Sequence, residues 1–114
     1  MSNGDQILRA HATISSLRTN LPTDYEVEEM WVKEFNGALR KIEAATSMDL
    51  GEFKVTEDLL YRSVASGNYL TGKVNYRDGL WCRRETLLHK IDSVLRYFTG
   101  LQSGQDRQID FKRS

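Results

Sequence analysis

"TDYEVEEMWVKEFNGALRKIEAAT", Thr23 to Thr46, is the stretch whose reading decides the fold. Thr23 and Glu26 have capping-box spacing, with the hydroxyl accepting from a free backbone N–H while the glutamate reaches back. Asp24, Glu28 and Glu29 add negative charge where a helix dipole is positive. Val27, Trp31, Phe35, Ala38, Ile42 and Ala45 then recur on one face, flanked by Met30 and Leu39. The pattern predicts a long amphipathic helix ending near Thr46, with an apolar face that other elements must cover.

Two further helices emerge on either side. About Asp5–Thr19, Ile7, Ala10, Ile14, Leu17 and Leu21 share a face, and Pro22 ends the segment by pushing its predecessor out of the helical region. From about Asp78–Leu80 to Thr99, the residues Leu80, Trp81, Leu87, Leu88, Ile91, Val94, Leu95 and Phe98 form a stripe broad enough for two neighbours, and Gly100 is a natural stop.

Between these helices, "SMDLGEFKV" predicts one turn around Leu50–Phe53 and "TEDLLYRSV" a short helix capped by Thr56. "NYLTGKVNY" can close into a β-hairpin about Gly72–Lys73, which alone would be marginal and would have to lie on the helices or pair with another chain. The expected fold is mainly α: a three-helix bundle with a short helix and hairpin inserted between the second and third helices. Residues 1–101 form one domain in this reading, and 102–114 a polar, mobile tail.

Formal net charge is zero, which gives no global field toward nucleic acid or a membrane surface. The distribution is uneven. Residues 24–58 carry ten acids against four bases, a net −6, whereas residues 59–114 carry ten bases against five acids, a net +5. Such halves can attract each other within the fold, or the basic one can face an anionic partner. The lone Cys82 excludes an internal disulfide, and no signal peptide or membrane-spanning run is visible, so a cytoplasmic setting is expected.

Catalytic signatures are weak. On the third helix Cys82, Glu85, His89, Asp92 and Arg96 fall at successive three- and four-residue steps and share one face, but Cys82 and His89 stand about 10 Å apart along the axis, too far for direct proton transfer. A polar solvated face explains the spacing better. Glu85 and His89 lack further ligands for a metal. Gly67 to Lys73 has GxxxxGK spacing, yet Val74 stands where a P-loop needs a hydroxyl, and no core strand precedes it. The expectation is no enzyme, no metal and no cofactor.

The strongest functional candidate is the span from Ala65 to Glu85, which holds Tyr69, Lys73, Tyr76, Arg77, Trp81, Arg83 and Arg84, with Tyr61 and Arg62 just before it. Tyrosine, tryptophan and arginine are the usual anchors of protein interfaces. The same residues can stack bases and contact phosphates. Arg84 falls within the expected apolar stripe, where it must snorkel, pair with Glu28, Glu34 or Glu43, or bind an anion. The preferred expectation is a non-catalytic protein–protein interaction module, an adaptor, regulatory or accessory subunit, self-associating as a homodimer. Binding of nucleic acid or a phosphate-bearing small ligand through residues 69–84 is the alternative.

Overall fold

In the computed structural model of the chain, Val27 lies on a strand rather than on a helix. The structure describes the backbone of residues 3–113 and the side chains of residues 5–101. In chain order the elements are α1 (Asn3–Asn20), β1 (Glu26–Glu28), α2 (Glu29–Thr46), β2 (Val64–Gly67), β3 (Val74–Tyr76), β4 (Trp81–Arg83) and α3 (Arg84–Arg113). Single 3₁₀ turns occupy Gly51–Phe53 and Glu57–Leu59. The fold is mainly α with two small antiparallel strand pairs.

The expected capping box does not form. Glu28, not Thr23, precedes the first turn of α2, in extended conformation and without a side-chain cap. A long-range contact outcompetes the local signal: β1 pairs antiparallel with β4, setting Glu26, Val27 and Glu28 opposite Arg83, Cys82 and Trp81. Strand alternation buries Val27 and turns Glu26 and Glu28 the other way.

The buried face of α2 includes the expected Phe35 and Ile42 but is turned toward Leu39, which was expected on its flank. Val32, Phe35, Leu39, Ile42 and Thr46 are buried, while Trp31 and Ala38 are half-buried and Met30 and Ala45 are exposed. Ser47 ends the helix at φ 61°, and its N–H donates to the Glu43 carbonyl at 2.8 Å.

α1 matches its expected face, with Ile7, Ala10, Ile14 and Leu21 buried and Leu17 packed beside them. α3 starts later than expected, because Leu80 and Trp81 belong to the strand region, and it continues beyond Gly100 to Arg113. Leu87, Ile91, Val94 and Phe98 are fully buried. They meet the faces of α1 and α2 in one core with Leu50 and Val55. Residues 102–113, expected as part of a polar, mobile tail, continue the backbone of α3, and their side chains and Ser114 lie outside the described residues.

Polar bonds tie the connection after α2 to the helices. Asn36 binds Val55 twice, donating through Nδ2 to its carbonyl and accepting its N–H at Oδ1, each at 2.9 Å. Glu43 accepts from the Leu50 N–H at 2.9 Å and pairs with Lys54, and these bonds hold its carboxyl below the usual range. Lys90 on α3 donates to the Glu52 carbonyl at 2.9 Å. The segment read as a short helix capped by Thr56 is a single turn, closed by Leu59 N–H to the Thr56 carbonyl without a side-chain cap.

Leu39→Ala should cost about 2–5 kcal/mol by removing a fully buried side chain. Met30→Ala should change stability by less than about 0.5 kcal/mol, as exposed positions do. Urea unfolding of both variants checks which face of α2 is buried; equal losses would contradict it.

Candidate functional site

Trp81 is the root of the candidate site. Its N–H donates to the Tyr61 carbonyl at 2.8 Å, and its carbonyl accepts the Tyr61 N–H at 2.9 Å. Both polar groups of one strand residue face the same edge, so Leu80 and the residues after Trp81 serve the opposite edge. There Glu29 N–H reaches the Leu80 carbonyl at 3.1 Å, and Arg84 N–H reaches the Tyr25 carbonyl at 2.9 Å. β4 is thus paired on both sides, by β1 and by Tyr61. The Trp81 indole is buried, with its N–H donating to the Asp78 carbonyl at 3.0 Å.

From this root the chain runs out as a two-stranded arm. Arg77 N–H donates to the Ser63 carbonyl at 2.8 Å, and β2 then pairs with β3. The hairpin expected about Gly72–Lys73 is present, with its first strand at Val64–Gly67 rather than near Tyr69. The register shift between Val64 and Ser66 is a bulge at Ala65, which bends the strand.

Backbone bonds close the tip. Asn68 N–H donates to the Lys73 carbonyl and Gly72 N–H to the Asn68 carbonyl, both at 2.9 Å. The Asn68 side chain accepts the Leu70 N–H at 2.9 Å. Gly72 turns the loop at φ 70°, a region glycine enters without a Cβ penalty. The GxxxxGK spacing therefore builds a hairpin tip whose Leu70 and Gly72 amides already have partners. Tyr69 and Leu70 project from it with relative exposures of 105% and 96%.

At the base of the arm, charge collects around Glu26. Its carboxylate accepts from Ser63 Oγ at 2.6 Å, while Ser63 itself is only 1% exposed. Arg77 lies 3.8 Å from the same carboxylate. Hydrogen bonds from Ser63 and then Tyr61 hold the Glu26 carboxyl below its usual range. Burial first, and then the bond to Glu26, push the Tyr61 phenol up to about 12. Of the ion pairs seen among the described residues, this one joins the acidic segment to the basic one.

The arginines of the candidate set are occupied. Arg77 stacks over Trp81 at 3.4 Å from the ring centre, Arg62 over Tyr76 at 4.0 Å, and Arg83 stands 5.5 Å from the Tyr25 ring. Arg84 opens α3 half-buried, and its Nε donates to the Pro22 carbonyl at 2.7 Å, a partner not among the acids expected for it. Lys73 is exposed on the tip loop. The structure therefore brings Tyr76, Arg77, Trp81 and Arg83 around the base and β3, and sets Tyr69 and Lys73 apart at the tip.

Sequence reasoning missed Glu26, Ser63 and Tyr25. Glu26 carries a local capping signal, and nothing local relates it to Ser63, 37 residues away. The expected line of Cys82, His89 and Asp92 on one helix is not formed. Cys82 is fully buried in β4, where burial raises its thiol, and Asp92 pairs with Arg18 of α1 at 2.6 Å. Among the described residues, no group of three or more His, Cys, Asp or Glu side chains could hold a metal ion, and no helix is long and apolar enough to cross a membrane. No family model, curated protein or solved structure matches this chain.

Glu26→Gln should cost about 1–3 kcal/mol at neutral pH, because it removes charge-assisted bonds from Ser63 and Tyr61. The carboxyl value is lower folded than unfolded, so its stabilisation is complete above the ordinary value near 4.5. It is lost as pH falls through the lower folded value. Thermal melts from neutral to acidic pH should therefore converge for wild type and variant; a gap that persists in acid would show that the carboxylate is not the source.

Proposed function

We propose that this protein is a non-catalytic protein–protein interaction module, an adaptor, regulatory or accessory subunit of a cytoplasmic system, that engages its partner through the β2–β3 arm. One observation carries this reading: Tyr69 and Leu70 are almost wholly exposed on a loop whose backbone is held by its own hydrogen bonds. A large aromatic and a large aliphatic side chain in water are unfavourable for the isolated chain, and a pre-ordered loop loses little entropy when a partner covers them. The three long helices serve as a bundle that carries the arm. Val74 and Tyr76, also exposed, extend the apolar surface along it and suit self-association as a homodimer.

The phosphate-binding alternative draws on Lys73 and the surrounding arginines. It is weakened by the stacking of Arg62, Arg77 and Arg83 on aromatic rings and by the proximity of Arg77 to Glu26.

Joint Tyr69→Ser and Leu70→Ser substitution should leave the melting temperature within about 2 °C of wild type, since neither side chain is packed. The pair should lose the dimer in native mass spectrometry and the proteins captured by the wild-type chain. Capture should persist between about 50 and 500 mM salt. A double variant that retains both would exclude the tip as the contact. Tight binding of a labelled single-stranded oligonucleotide that collapses over the same salt range would favour the anion reading.

A further inference from the structure

A groove of about 670 Å³ runs between α1 and α2, with Leu17, Trp31, Gly37 and Ala38 along it. On α1 its lining extends from Gln6 to Asn20, a span of about 21 Å at the helical rise per residue. Arg9, Lys33 and Lys41 border it against the single acid Glu34. Lys33 also meets Glu29 at 2.7 Å, but its side chain is 74% exposed, and a pair so exposed is weak and easily exchanged.

Gly37 is the informative residue. It sits in the interior of α2, where glycine costs about 0.5–1 kcal/mol relative to alanine. No close packing requires it, since a Cβ built there meets nothing within 4 Å. The half-buried Trp31 and Ala38 lie on the same helix and line the same opening. The groove therefore has an apolar strip at Leu17, Trp31 and Ala38, is open beside Gly37, carries the polar Gln6, Thr13, Ser16 and Asn20 on its α1 side, and has more cations than anions among its charged residues.

We propose that this groove is the docking site for an acidic amphipathic helix of a partner protein. A helix of about 14 residues matches its length. The apolar side of that helix would cover Leu17, Trp31 and Ala38, and Gly37 would let it approach closely. Glutamates or aspartates beside that stripe would meet Arg9, Lys33 and Lys41, which sets the preference for an acidic over a basic helix. The surface shares no residue with the β2–β3 arm and does not depend on the arm's role.

Calorimetric titration of the full chain tests this with a capped helical peptide of about 14 residues, bearing leucines at helical spacing and glutamates on both flanks. The wild type should bind it with a Kd on the order of 10 μM. Gly37→Leu should abolish binding while melting at or above the wild-type temperature, because leucine is the better helix former and fills the opening. Joint Arg9→Glu and Lys41→Glu substitution, confined to exposed positions, should weaken it at least about tenfold. The Tyr69→Ser, Leu70→Ser protein should bind as wild type does. The proposal is overturned by absence of binding to the wild type, by equal binding of a lysine-flanked peptide, or by full affinity in Gly37→Leu or in the charge-reversed protein. Binding of dodecanoate but not the peptide would make the occupant a small amphiphile. A dimer abolished by Gly37→Leu would make it a second copy of the chain, and either result also overturns the acidic-helix assignment.

Discussion

The two-sided pairing of Trp81 is the constraint on which the rest of the structure depends. Its own N–H and carbonyl bind Tyr61, while its neighbours' polar groups turn to β1 and the residues beside it. That arrangement satisfies buried backbone without a large sheet, which a chain dominated by helices does not supply. It joins three segments distant in sequence: the end of the α1–α2 connection, the segment after the 3₁₀ turns and the entry to α3. With Val27 and Cys82 buried in the same ladder, the strand pair becomes part of the helical core.

From this root follow the placement of the arm and its chemistry. Strands leaving Tyr61 and Trp81 must run outward together, so residues 63–77 form an extension rather than another layer on the helices. All seven residues of β2 and β3 are exposed. A pair of strands without a covered face is marginal by itself. Here it is anchored at one end by Ser63, Glu26 and Arg77, and closed at the other by the bonds around Asn68. The stacked arginines belong to the same economy, since a guanidinium over a ring covers apolar surface while remaining in contact with water.

The contrast between arm and groove has a physical basis. The arm presents protruding apolar side chains, which suit insertion into a concave partner. The α1–α2 groove is concave, cationic at its edges and able to receive a convex element. Both are mainly basic surroundings, so the arm of one copy is a poor electrostatic match for the groove of another.

Helix faces and chain turns were legible locally because they rest on neighbours three or four residues apart. The sequence by itself determined α1 with Ile7, Ala10 and Ile14 inside, the end of α2 near Thr46, the inward side of α3 from Leu87 to Phe98, and a turn at Gly72. The start of α2 was beyond it. Thr23 and Glu26 carry a sound capping signal, but pairing with residues 81–83 draws Glu26–Glu28 into a strand, and the buried face of α2 centres on Phe35, Leu39 and Ile42, with Trp31 and Ala38 only half-buried. Only the tertiary structure decided that Glu26 meets Ser63, that Arg84 binds the Pro22 carbonyl, and that Cys82 is buried apart from His89. Each of these depends on contacts across many residues of chain, whose formation is governed by how whole elements pack and not by any spacing within a segment.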